Sequence, residues 1–169
     1  MSEQHVPPSG QPLVRALLER LRRDEPGCAS TLAHAPALLP WSAAFESGDA
    51  TIDAEHRRLF ELGNEALEAS RSMDTQPRVF RSALNALLVH VTRHFLSEER
   101  ILEQRGYAGL EAHKRAHREL LERARELELQ ADAGRITIDE LAEFLALDIV
   151  ANHLLTSDTL FFPLMRERD

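Results

Sequence analysis

Cysteine, lysine and aromatic residues are scarce in this sequence. It has one cysteine (Cys28), one tyrosine and one tryptophan, and Lys114 is its single lysine. One cysteine excludes an internal disulfide framework, which makes the reducing cytoplasm the expected compartment. No apolar run reaches the roughly 18 residues that a spanning helix needs, and no secretory signal opens the chain. We therefore expect a soluble, cytoplasmic protein without membrane contact.

Positive charge is also limited. The chain has 20 Lys and Arg against 28 Asp and Glu, a formal net charge of −8. Binding to nucleic acid therefore has no electrostatic support. Leu, Ala, Arg and Glu dominate the composition, glycine occurs only seven times, and β-branched runs are short, all of which favours helix. The 169 residues suit one all-α globular domain.

The hydrophobic pattern divides the chain into an extension and a helical body. We assign residues 1–40 to an N-terminal extension, expected to be partly disordered, with a short amphipathic helix at about 13–23. Residues 41–169 form the second unit. Because the connections in it are short, we predict an up-down-up-down four-helix bundle. Its predicted helices span about 53–71, 77–104 and 110–132, with a fourth from Thr137 to beyond Asp158.

Each predicted bundle helix carries histidine on its apolar face. His94 and Glu98 are four residues apart, so they project from one side of a helix, and His113 and His117 repeat that spacing. Burying so many polar side chains without partners would be costly, and a metal site would supply partners for all of them. The predicted metal ligands are His56, His94, Glu98, His113, His117, His153 and Asp158.

The ligand types favour iron. Seven protein ligands exceed the four of one zinc ion, and imidazoles combined with carboxylates suit a pair of iron ions. Asp158 is the difficult member, because five residues beyond His153 is about 140° past one full turn of a regular α-helix. It reaches the same centre only from the adjoining edge of the helix or through a local irregularity.

Four stretches together form a specific motif: WSAAFESGDATIDAEHRRL (41–59), HFLSEE (94–99), GYAGLEAHKRAH (106–117) and HLLTSD (153–158). Over about residues 41–165 the chain resembles the hemerythrins, most closely the bacterial hemerythrin-like (bacteriohemerythrin) domains. The resemblance implies two iron ions (Fe2+/Fe3+) with an oxo or hydroxo bridge. It implies that one iron is held by His113, His117 and His153, the other by His56 and His94, and that Glu98 and Asp158 bridge them.

The resemblance also implies an open position for dioxygen on the second iron. Spacing lines its pocket with Phe60, Val91, Leu120 and Ile149. Histidine-rich ligation and an apolar pocket would favour reversible binding over cleavage of the O–O bond.

Two positions depart from many bacterial relatives. His90 stands where they carry tyrosine, and Ile149 where they carry tryptophan. His90 either makes a local hydrogen bond in the tyrosine's place or acts on the metal site, as an outer partner or a ligand. Glu99 is expected to face solvent, and Asp53 to cap the first bundle helix.

The purpose of dioxygen binding stays open. The chain would be a reversible oxygen carrier or an oxygen- or redox-sensing domain, and non-enzymatic binding is the expectation. The alternatives are a sensor domain excised from a longer signalling protein such as a diguanylate cyclase, or a di-iron enzyme acting on peroxide or nitric oxide. Dioxygen is the expected ligand, and a homodimer or a C-terminal output domain are the candidate protein partners.

Overall fold

Four long helical stretches account for most of residues 39–167, which are the residues that the computed structural model describes. The predicted helix at about 13–23 lies outside that range. A 3-10 turn at Ala43–Phe45 precedes the first helix, and another at Asp158–Leu160 follows the fourth. The helices are α1 (Ala50–Ser70), α2 (Pro77–Gln104), α3 (Leu110–Asp132), α4 (Ile138–Glu143) with its π-helical continuation Phe144–Ser157, and α5 (Phe162–Arg166).

Local sequence signals set the helix ends. The predicted capping box at the start of α4 is present: the Glu140 amide donates to the Thr137 hydroxyl, and the Thr137 amide donates to the Glu140 carboxylate. The prediction for Asp53 was wrong, since Asp49 caps α1 by accepting hydrogen bonds from two first-turn amides. Asp53 instead accepts hydrogen bonds from the amide and hydroxyl of Ser47, which fixes the loop before α1.

The helices form a closed ring. α1 packs on α2, α2 on α3, and α3 on the π-helical segment, while α4 returns to α1. The predicted four-helix bundle is therefore confirmed. Two apolar clusters fill it, a large one that includes Leu87, Leu145 and Ile149, and a smaller one around Ile52 and Phe161. The buried polar side chains include five histidines, Glu98 and Asp158.

The fourth helical stretch changes its hydrogen-bond pattern. From Phe144 to Ser157 the backbone is π-helical, so that each bond spans five residues, and the Asp158 amide donates to the carbonyl of His153. Residues five apart therefore come close to alignment along this segment. That is the local irregularity that the sequence required if Asp158 was to reach the centre alongside His153.

Within residues 39–167, no helix combines the length and the apolar character that crossing a membrane would require.

Candidate metal centre

Buried histidines and carboxylates from all four sides of the bundle meet at one level. The ligand atoms within each of two groups lie within 4.8 Å of one another, and Glu98 belongs to both groups. Asp158 adjoins both, because its carboxylate is 3.1 Å from His153 Nε2 and 3.5 Å from His56 Nε2. All seven residues predicted from sequence are thus brought together. One group contains His113, His117, His153 and Glu98, and the other contains His56, His94 and Glu98.

Glu98 turns one oxygen towards each group. Its Oε1 lies 4.0 Å from His56 Nε2. Its Oε2 lies 3.0 Å from His113 Nε2 and 3.1 Å from His117 Nε2. The carboxylate therefore spans the space between the two groups.

Asp158 repeats this arrangement from the π-helical side. Its Oδ2 faces His56, whereas its Oδ1 lies 3.1 Å from His153 Nε2 and 3.7 Å from His113 Nε2. Two carboxylates thus connect the same two sets of imidazoles, which is the disposition expected of ligands shared by two cations.

The outer nitrogens of four histidines are held by other parts of the chain. His56 Nδ1 lies 2.9 Å from the carbonyl oxygen of Phe45. Such contacts fix the orientation of an imidazole and the nitrogen that it presents to a metal. The other three Nδ1 contacts are His94 with Glu55 at 3.1 Å, His117 with Glu99 at 2.7 Å and His113 with the Ser157 hydroxyl at 3.2 Å.

Glu99 corrects an expectation from sequence. It was expected to face solvent, but its carboxylate contacts His117 and its side chain is only 21% exposed. Glu55 was not identified from sequence at all. Both glutamates directly neighbour a predicted ligand in the chain, Glu55 before His56 and Glu99 after Glu98, yet each contacts a histidine of the next helix. Their adjacency to ligands was the available signal.

Replacing Glu99 by Gln should weaken metal binding about tenfold to a hundredfold, because His117 loses the negative charge that orients it and raises its basicity. The measurement is iron affinity in competition with a chelator. Glu103→Gln, one turn further along α2 at an exposed position, is the matched control. Equal affinities for the two variants would contradict this role of Glu99.

Burial and mutual charge set the protonation of the centre. Burial lowers the pKa of His153 to about 4, with the charges of neighbouring histidines acting in the same direction. Burial also lowers the pKa of His94, His113 and His117. At neutral pH these imidazoles are uncharged and present lone pairs, the form in which histidine binds metal.

The two carboxyl groups shift in opposite directions. Burial, reinforced by the charge of Asp158, raises the pKa of Glu98 well above its usual value. Burial opposes ionisation of Asp158 too, but the charges of His153 and of His56 prevail and lower its pKa. Burial likewise opposes the charged form of His56, yet Asp158 and Glu98 together raise its pKa.

In the metal-free protein, the free energy of unfolding should fall as pH decreases from about 6.5 to about 4. Four histidines have lowered pKa values in the folded state, so the unfolded chain takes up these protons first. The stability that they contribute is complete above the unfolded pKa and is lost as pH falls through the folded one. Glu98 and His56, whose pKa values are raised in the folded state, act in the opposite sense but are outnumbered.

The check is urea unfolding of chelator-treated protein across this pH range. His153→Leu removes one of the titrating groups and should flatten the dependence. A stability that stays constant or increases on acidification would contradict the assignment.

Several buried atoms of the centre have no hydrogen-bond partner among the described residues. They include Nε2 of His56 and of His94, Oε1 of Glu98 and both carboxylate oxygens of Asp158. Buried polar atoms are normally paired, so a group of unpaired donors and acceptors facing one another needs a common partner. The nitrogen and oxygen donor set fits iron ions.

His90 lies beside the centre and in neither ligand group. Its Nε2 is 2.9 Å from the backbone oxygen of Glu55, and its ring is nearly parallel to that of His94 at 6.5 Å. The local hydrogen bond anticipated for this position is present. His90 thus contacts the backbone of Glu55, the residue whose carboxylate contacts His94.

Three of the four predicted pocket residues are buried in the larger apolar cluster: Phe60, Val91 and Ile149. Phe60 packs against Phe45, whose carbonyl accepts from His56, with ring centroids 4.7 Å apart. Leu120 differs, because it is only partly buried and borders a cleft between α3 and the π-helical segment.

Comparison with known proteins identifies the family. Residues 47–165 match the family described as the hemerythrin HHE cation binding domain. This chain belongs to the hemerythrin family. The match includes all seven clustered residues, so the centre lies wholly inside the hemerythrin domain.

Individual hemerythrins agree with this result. The chain is 34% identical to a bacteriohemerythrin of Stenotrophomonas maltophilia, over 65% of this chain and 71% of that protein. It is 29% identical to one from Methylococcus capsulatus, over 75% of this chain and 96% of that protein. A crystal structure of wild-type hemerythrin superimposes with a TM-score of 0.69 at 27% identity, covering 77% of this chain and 99% of that one.

Proposed function

We propose that this hemerythrin holds two iron ions and binds dioxygen reversibly between its helices. The observation that carries the proposal is the pair of shared carboxylates: Glu98 and Asp158 each present one oxygen to His56 and the other to the histidines opposite. A single cation does not explain two carboxylates that span two separate groups of imidazoles. Two cations that share both carboxylates as ligands explain this arrangement.

In this proposal each group of histidines serves one ion. His113, His117 and His153 would hold the first iron, His56 and His94 would hold the second, and Glu98 and Asp158 would be shared between the two. The second iron would have fewer protein ligands than the first, which would leave room for dioxygen, and bound ferrous iron would supply the electrons for reversible binding.

The residues of the chain control this chemistry in two ways. Glu55, Glu99, Ser157 and the Phe45 carbonyl keep the histidine rings oriented towards the centre. Of the predicted pocket residues, Phe60, Val91 and Ile149 are buried in the larger apolar cluster and would keep water away from the dioxygen position, whereas Leu120 lines the cleft beside His153. Exclusion of water there favours release of intact dioxygen.

His90 acts on this site through Glu55 in the proposal. It contacts the Glu55 backbone, and Glu55 orients His94, so loss of the imidazole would loosen one ligand of the second iron. His90→Phe tests this through the absorption spectrum and the autoxidation rate. If both stay unchanged, His90 has only a structural role.

The test of the function is anaerobic loading with ferrous iron followed by exposure to air. Charge-transfer bands between the bridge and iron, and between bound oxygen and iron, should appear in air and disappear when oxygen is removed. Absence of these bands from an iron-loaded sample would falsify the proposal. Peroxide turnover faster than autoxidation would replace it with the enzymatic alternative. Carrier and sensor use the same binding chemistry, and the proposal is confined to that chemistry.

A further inference from the structure

A cleft of about 490 Å³ opens between α3 and the π-helical segment, beside the three-histidine half of the centre. Most of its lining residues are exposed or partly exposed, and only His153 among them is buried. The cleft therefore connects the surface with a candidate iron ligand. It is lined by Ala116, Glu119, Leu120, Arg123, Asp148, Asn152, His153, Thr156, Ser157 and Leu160.

His153 differs from the other four histidines of the centre. Their Nδ1 atoms contact Phe45, Glu55, Glu99 or Ser157, but Nδ1 of His153 has no partner within residues 39–167 although the residue is only 2% exposed. Its Nε2 is turned inwards to Asp158 at 3.1 Å. This leaves Nδ1 as the buried nitrogen of His153 that has no acceptor among the described residues.

When Nε2 binds a metal, the ring proton resides on Nδ1, and a buried N–H group needs an acceptor. The nearby lining offers the polar atoms that hold water in such places, from Asp148, Asn152 and Thr156. Arg123, 3.7 Å from Asp148, adds donors at the cleft wall.

We propose that this cleft is the route by which water reaches the iron centre, and that water there accepts the Nδ1–H of His153. The inference rests on the proposed function, since it takes His153 to be an iron ligand. The iron centre then has two sides with different access to water. Water and exchangeable protons approach from the polar cleft at the three-histidine iron, whereas Phe60, Val91 and Ile149 form an apolar environment on the dioxygen side.

The test compares exchange of the histidine N–H protons with deuterium in the ferrous-loaded protein. Histidine labelled with nitrogen-15 allows each N–H to be followed by NMR, with assignments from contacts to neighbouring residues. The His153 proton should exchange at least about tenfold faster than that of His56, which donates to a buried carbonyl.

A substitution that fills the cleft provides a second test. Ala116→Leu places extra methyl groups in the cleft and should slow His153 exchange about tenfold, because water is displaced from the N–H. Ala112→Leu is the matched control, since Ala112 is exposed one turn earlier on α3 and does not line the cleft. It should leave the exchange rate unchanged.

Slow exchange of His153 in the unaltered protein, or equal rates in the two variants, would overturn the inference and leave the di-iron proposal intact. If Ala116→Leu prevents iron binding, Leu160→Phe narrows the mouth of the cleft from a position that is 70% exposed, and the same slowing is expected. A chain that takes up no iron overturns the proposed function and this inference with it.

Discussion

Asp158→Asn should reduce iron binding from two ions per chain to one or none, with affinity weakened more than about a hundredfold. Asparagine keeps the shape of the side chain but removes the negative charge, and its NH2 group cannot act as a ligand. The carboxylate is fully buried and lies close to histidines of both groups. Its loss therefore affects both ions together. The measurement is iron content per folded chain after anaerobic loading.

Asp148→Asn is the matched control for this experiment. Asp148 lies ten residues earlier, within the π-helical segment that ends just before Asp158, is partly buried, and pairs with Arg123 at 3.7 Å, outside the two ligand groups. We expect it to retain two ions per chain. Equal iron content in the Asp158 and Asp148 variants would show that Asp158 does not bridge.

Loading with ferrous iron should raise the unfolding midpoint by more than about 10 °C, since a ligand at a thousand times its Kd adds about 4 kcal/mol to the free energy of unfolding. The physical reason is that Nε2 of His56 and of His94, Oε1 of Glu98 and both oxygens of Asp158 are buried without partners and would gain them when metal binds. Calorimetry of metal-free and iron-loaded protein under anaerobic conditions provides the measurement.

The same comparison with Asp158→Asn separates specific from incidental stabilisation. That variant retains the other metal-binding side chains but lacks one of the two shared carboxylates, so iron should shift its midpoint far less. An equal rise in both proteins would mean that iron stabilises the chain from somewhere other than this centre.

The helices and the clustered residues could be predicted from sequence because the apolar residues and the histidines recur with helical periodicity. The predicted bounds 77–104 and 110–132 agree with α2 and α3, where apolar residues recur on one face and Gly106 and Gly134 follow the ends. His94 with Glu98, and His113 with His117, share a helix face by their spacing alone. Their convergence followed from the short connections between antiparallel helices.

The π-helix was anticipated only as an unspecified irregularity. Its segment is apolar on most sides, so the hydrophobic pattern does not distinguish five-residue from four-residue hydrogen bonding. The need for it came from Asp158, whose spacing from His153 does not suit an α-helix.

The contacts of the histidine Nδ1 atoms could not be predicted from sequence, for a different reason. Glu55 and Glu99 lie next to predicted ligands in sequence, but the histidines that they contact belong to neighbouring helices. Which residues are in contact across a helix interface depends on how each helix is rotated about its axis and shifted along it. The hydrophobic periodicity of the sequence determines neither quantity. The cleft beside His153 likewise depends on how α3 and the π-helical segment diverge.

The most direct test of the di-iron proposal is the uptake of dioxygen by protein whose iron content is known. A di-iron centre should take up one dioxygen per two ferrous ions under air and release it as dioxygen when the sample is returned to an oxygen-free atmosphere. Uptake without release, or no uptake by a chain that carries two iron ions, would contradict it.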